Sequence, residues 1–196
     1  MCIKYLRRIH TWSLDGAELA ELSGKILLVA GEGGVGKSTL IRYLLDRSYQ
    51  PQKITVGVNV ESCKYDVDGS DIQVTIKDAG GEERFRFMLP MWAKGADGAL
   101  LVFDLGRFHT FLHVTEWLAL MQEHIPTDRI LLIGAKSDIG IRRDVDAMEA
   151  EKLSEKHNLA GYLETSAKLG EGVDEAFSNL LRIVLEVQSE IPINKV

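Results

Sequence analysis

Cysteine is scarce in this 196-residue chain: only Cys2 and Cys63 occur. Two such distant cysteines build no disulfide framework and have no metal-ligand spacing. That usage suits a reducing compartment, so the cytoplasm is the expected location. Positive charge is also in deficit. The formal net charge is −6, which argues against a general nucleic-acid surface. No uninterrupted apolar run is long enough to span a bilayer. Residues 1–12 carry Lys4, Arg7, Arg8 and His10 but no apolar core of signal-peptide length, so no secretory signal is expected. There is no internal repeat and no Pro/Ser-rich linker. What remains is 45% hydrophobic and 27% charged, a globular composition at a length that suits one α/β domain.

Apolar bursts alternate with helical patterns. Residues 25–31 (KILLVAG) read as a buried strand and 37–47 as the helix after it. Residues 54–65 and 72–77 alternate with period two around Asp68-Gly69, a hairpin signal. Residues 98–105 (GALLVFDL), 129–135 (RILLIGA) and 161–164 read as strands. Residues 108–124, 144–157 and 173–188 read as helices. The expected fold is therefore α/β, a mostly parallel sheet with one antiparallel edge strand and helices on both faces. The expected division is an N-terminal extension over 1–23, one domain over 24–190 and a short tail over 191–196.

One motif carries chemistry directly. Gly31-Glu32-Gly33-Gly34-Val35-Gly36-Lys37-Ser38 fits the pattern G-x-x-x-x-G-K-[ST] between a strand and a helix. Glycines let backbone N–H groups converge on phosphate oxygens with no Cβ in the way. The following helix turns its positive end to the same phosphates. Lys37 is expected to neutralise β- and γ-phosphate charge, and Ser38 to ligate Mg²⁺. With Thr39, these residues form the expected phosphate-binding run. A P-loop alone does not separate ATP from GTP.

Four further segments follow in order: Ile54-Thr55-Val56-Gly57, Asp78-Ala79-Gly80-Gly81-Glu82, Ala135-Lys136-Ser137-Asp138 and Glu164-Thr165-Ser166-Ala167-Lys168. With the P-loop, they resemble the Ras superfamily of small GTPases over residues 25–190, mixing Rab-like and Arf-like forms. The resemblance implies a small G-domain of the P-loop NTPase class that binds GTP or GDP with Mg²⁺. It implies that Ser38 and Thr55 ligate Mg²⁺, that Asp78 does so through a water, and that the Gly81 N–H senses the γ-phosphate. It implies that Lys136, Asp138, Ser166, Ala167 and Lys168 hold the base. Asp138 would accept from guanine N1–H and the 2-amino group, a donor pair that adenine lacks. Catalytic roles fall to Lys37, Gly81 and Glu82. Protein effectors and regulators are expected at residues 49–60 and 79–94, with no nucleic-acid partner.

Two positions depart from that family pattern. Ala135 replaces an Asn that approaches guanine N7 and braces the P-loop. Its loss removes one or two hydrogen bonds of about 0.5–1.5 kcal/mol each, so weaker or faster-exchanging nucleotide is expected. Glu82 replaces the Gln that orients the attacking water. Ionised Glu82 accepts a hydrogen bond but donates none, so it either orients water or idles, and slow hydrolysis is expected. Arg84 and Arg86 read as solvated or partner-facing, and Phe103, Phe108 and Phe111 as core. Among Phe85, Phe87, Met88, Met91 and Trp92, part is expected to be core and part a partner surface.

Near the N-terminus Cys2, Tyr5, Leu6, Ile9 and Trp12 recur with helical period opposite Lys4, Arg7 and Arg8. Such a stripe packs on its own domain or a partner, or makes weak peripheral membrane contact. With Cys at position 2 and no cysteine near residue 196, neither N-myristoylation nor prenylation is expected.

Overall fold

A computed structural model describes residues 24–185. The basic stripe over 1–12, the tail over 191–196 and the last residues of the final expected helix lie outside them.

Six strands form one sheet in the order β2-β3-β1-β4-β5-β6. They are β1 (Lys25–Ala30), β2 (Val58–Val67), β3 (Ser70–Ala79), β4 (Gly98–Asp104), β5 (Ile130–Ala135) and β6 (Gly161–Thr165). All neighbouring pairs are parallel except β2–β3, so β2 is the expected antiparallel edge. The hairpin turns at Asp68 (φ 53°) and Gly69 (φ 84°). Two positive φ values in a two-residue loop give the twist that joins antiparallel strands.

The period of two in the strands divides the core. Leu27 and Val29 of β1 face α1 (Lys37–Asp46) and α6 (Val173–Val184), with Leu40, Leu44, Phe177 and Leu181. Leu28 and Ala30 face the other layer. That layer holds α2 (Leu89–Ala93), α3 (Phe108–Leu112), α4 (Val114–Met121) and α5 (Ala147–Lys156). Every residue of β4 and β5 is buried, as a parallel sheet covered on both faces demands.

Several expectations are corrected. The helix expected over 108–124 is two helices, α3 and α4, separated by His113 with ψ −5°. Phe108 is 42% exposed, because α3 is short and turns Phe111, not Phe108, toward Phe103. The strand expected from Ile54 starts at Val58, because the chain first bends to bring Thr55 against α1. The helix expected from Asp144 starts at Ala147, where the Asp146 carboxylate accepts the Met148 N–H at 2.8 Å. After β3 the chain makes a 3-10 turn, Glu83–Met88, and then α2. There Trp92 is buried, Phe85 and Met88 pack against the core, and Phe87 and Met91 are exposed.

Candidate functional site

The C-terminal ends of β1, β3, β4, β5 and β6 meet above the sheet, the edge where open parallel sheets gather their ligand loops. The loop from Gly31 to Gly36 leaves β1 there and α1 begins at Lys37. Gly31 has φ 134°, and a Cβ on it would stand 2.0 Å from the Val102 carbonyl oxygen, so no other residue fits that exit. Lys37 is 5% exposed and donates to the carbonyls of Gly31 and Glu32, each at 2.8 Å. Burial lowers its pKa to about 8, against the opposing pull of Asp78 and Glu32.

Ser38, Thr55 and Asp78 converge from α1, the loop before β2 and the end of β3. Ser38 Oγ donates to Asp78 Oδ2 at 2.5 Å and lies 2.8 Å from Thr55 Oγ1. Thr55 Oγ1 is 3.4 Å from the same carboxylate oxygen. Asp78 is 2% exposed, and its Oδ1 is buried with no partner. Burial pushes this carboxyl above its usual range, partly opposed by the Ser38 hydroxyl and the Lys37 ammonium. An unpaired buried carboxylate oxygen beside two hydroxyls is a hard, oxygen-only donor set of the kind Mg²⁺ takes. Neighbouring ligands at roughly 2.1 Å from an octahedral ion stand about 3 Å apart, close to the Ser38–Thr55 separation. The residues present therefore fit that ion.

The segment after Asp78 closes over the loop. A Cβ on Gly80 would meet the Thr55 and Gly57 carbonyl oxygens at 2.7 and 2.8 Å, and one on Gly81 the Glu32 carbonyl carbon at 2.4 Å. Gly80 N–H donates to Gly57 O at 2.7 Å. The doubled glycine thus lets two loops and the P-loop touch backbone to backbone. A cavity of about 260 Å³ opens between them, lined by Gly33, Gly34, Lys37, Ser38, Thr39, Thr55, Gly81 and Glu82 among others.

Glu82 does not reach into that cavity unpaired. Its carboxylate accepts from Arg84 Nε at 2.5 Å. Glu32 turns its side chain away from the cavity, to His113 Nδ1 at 2.8 Å and Arg86 Nη2 at 3.5 Å. The expectation for Arg86 is corrected here. It is not solvated: it pairs with Glu32 and Glu116 and lies over the Trp117 ring at 5.1 Å. Two acidic neighbours and the buried Trp117 ring, absent from its local sequence, hold it inward.

A second cavity, of about 120 Å³, adjoins the first and is lined by Val35, Gly36, Thr39, Tyr49, Ala135, Lys136, Asp138, Thr165, Ala167 and Lys168 among others. Asp138 Oδ1 accepts from the buried Ser166 hydroxyl at 2.7 Å, and Lys168 Nζ lies 3.5 Å from Asp138 Oδ2. Arg143 grips Glu164 with two nitrogens, at 2.8 and 2.5 Å, and ties the segment after Asp138 to β6. Ala135 sits under Gly36, its Cβ 4.0 Å from where a Cβ on that glycine would lie. Its register partner on β6 is Thr165, whose Oγ1 is buried and unpartnered. Lys136 stands in the left-handed region (φ 68°) and sends its ammonium to Gly34 O at 3.0 Å and Asp104 Oδ2 at 2.6 Å.

Sequence reasoning missed Asp104, Arg107 and Tyr49. Tyr49 lines both cavities. Asp104 ends the wholly apolar strand β4 at the ligand edge of the sheet, a signal that was readable.

The Ras family model matches residues 25–186, nearly the whole span described above. With the sheet order and the two cavities already set by the fold, that match places the chain: it belongs to the Ras family of guanine-nucleotide-binding switch proteins.

Proposed function

We propose that the protein binds GTP and GDP together with Mg²⁺, hydrolyses GTP slowly, and signals through the loops around Thr55 and Gly81. The observation that carries this reading is the meeting of Ser38, Thr55 and Asp78 around a buried carboxylate oxygen without a partner. Ser38 and Thr55 would offer their hydroxyl oxygens to the ion, and Asp78 would hold one of its waters. Bound there, Mg²⁺ offsets the charge on the β- and γ-phosphate oxygens.

The chain's own residues do the rest. An ammonium has three protons; Lys37 gives two to Gly31 and Glu32, which leaves the third for a phosphate oxygen. The Gly81 N–H senses the γ-phosphate from its place against Glu32. Asp138, fixed by Ser166, accepts from guanine N1–H and the 2-amino group, and the Ala167 N–H meets O6. Lys136 flanks the base, and Lys168 borders the pocket.

Glu82 orients the attacking water as an acceptor. Its pairing with Arg84 supports a low intrinsic rate, since the carboxylate must first leave that guanidinium. Exposed Ile54, Val56, Val60, Phe87 and Met91 support effector and regulator binding through residues 49–60 and 79–94. No helix among the described residues is long and apolar enough to cross a membrane, and the proposed location is the cytoplasm.

Phosphate release from GTP over many turnovers, with and without a chelator, tests the reading. Slow release that stops on Mg²⁺ removal is expected. A rate equal to the uncatalysed background with Mg²⁺ present rules out hydrolysis by the isolated protein.

A further inference from the structure

The four carbonyls that open the phosphate loop are all claimed by cations. Lys37 takes those of Gly31 and Glu32 from inside. The next two are drawn the other way. Gly33 O accepts from Arg107 Nη2 at 3.1 Å, and Gly34 O from Lys136 Nζ at 3.0 Å. Both outer cations share one anchor: Asp104 Oδ2 accepts from Arg107 Nε at 2.7 Å and from Lys136 Nζ at 2.6 Å. The other Asp104 oxygen accepts the Gly106 N–H at 2.9 Å. One carboxylate at the end of β4, 3% exposed, thus holds two cations from separate loops on successive carbonyls.

Peptide planarity converts this grip into aim. In a trans peptide the N–H points opposite to the C=O. With Gly33 C=O fixed toward Arg107, the Gly34 N–H faces the opposite side, and Gly33 and Gly34 both line the phosphate cavity. Glycine has little torsional preference of its own to keep that orientation. The neighbouring strand ends do not help, because Ala135 offers no polar side-chain atom and Thr165 Oγ1 contacts none.

We infer that Arg107 is a positioning residue for nucleotide binding: its guanidinium, braced on Asp104, sets the Gly33–Gly34 peptide so that the Gly34 N–H meets phosphate. This rests on the nucleotide site proposed above. The task needs the guanidinium fork, since Nε holds Asp104 while Nη2 holds Gly33. A lysine ammonium has no such paired geometry.

The test is release of a fluorescent GDP from the full chain, with amide NMR spectra of the bound state. Loss of one charge-assisted hydrogen bond predicts about tenfold faster release from Arg107→Ala. Arg107→Lys is expected to stay several-fold faster than wild type. The Gly34 amide resonance should move while that of Ala167, on the base side, stays. Arg107→Gln, which keeps the stem and loses the fork, gives the same reading should the alanine variant not fold. Release within twofold of wild type, or an unmoved Gly34 amide, overturns the assignment. A wild-type protein that binds no GDP would overturn the nucleotide site itself.

Discussion

Ser38 and Asp78 meet through a 2.5 Å hydrogen bond that joins the first turn of α1 to the end of β3, and Asp78 still has its second oxygen free of any partner. The bond holds Ser38 and Asp78 together at the proposed ion site. Asp78→Asn should therefore keep the fold, because the amide oxygen still accepts from Ser38. It should lose the response to Mg²⁺, because a neutral amide holds an ion-bound water less strongly than a carboxylate does. GDP release measured with and without chelator should differ strongly in wild type and little in the variant. Equal chelator sensitivity in both would remove Asp78 from the ion site.

In the proposed site, base choice falls to Asp138, whose Oδ1 accepts from Ser166. Asp138→Asn exchanges an acceptor pair for an amide that suits the C2 carbonyl of xanthine. The variant should lose preference for GTP and gain XTP relative to wild type in competition binding. The same ranking for both proteins would show that the base lies elsewhere.

Ala135 faces Thr165 across β5 and β6, and the Thr165 hydroxyl has no partner. Ala135→Asn supplies one, along with a contact for the base. GDP dissociation should slow by about tenfold, the equivalent of roughly 1.4 kcal/mol. Unchanged off-rates would mean that the Asn side chain finds neither contact.

In the proposed reaction, the Glu82–Arg84 pair limits hydrolysis. Arg84→Ala releases the Glu82 carboxylate and should raise single-turnover GTP hydrolysis several-fold, whereas Glu82→Ala should lower it. If wild type and both variants coincide, Glu82 is idle in the isolated chain and a partner must supply catalysis.

Asp104 predicts a pH dependence. Burial works to raise its carboxyl, but hydrogen bonds from Lys136, the Gly106 N–H and Arg107 outweigh it and hold the pKa below the usual value. The unfolded chain then binds the proton more readily, so this contribution to stability is complete above about pH 4 and is lost as pH falls through the folded value. Asp104→Asn should show a shallower loss of stability in acid denaturation. Parallel acid limbs for the two proteins would contradict the depressed value.

Much of this site was legible because its parts are local in sequence. The P-loop glycines, Lys37 and Ser38 are contiguous, Asp78 stands near the end of β3, and Asp138 comes soon after β5, strands whose ends must lie at one edge of a parallel sheet. Arg107 was not legible: it meets Gly33 across 74 positions, and only the β1–β4 pairing brings them together. Arg86 and His113 reach Glu32 in the same long-range way. Phe108 reads as core in the sequence but is exposed, because apolar character does not tell which side of a one-turn helix faces water. The edge strand starts later than its alternation suggests for a related reason. Ile54 alternates like a strand residue, yet the pull of Thr55 toward Ser38 takes that stretch out of the ladder.

Guanine-nucleotide binding at the two joined cavities is read from calorimetric titration of nucleotide-free protein with GDP and with ADP, both with Mg²⁺. Saturable one-to-one binding of GDP and none of ADP at the same concentrations is expected. Equal affinity for the two, or binding of ADP alone, would contradict it.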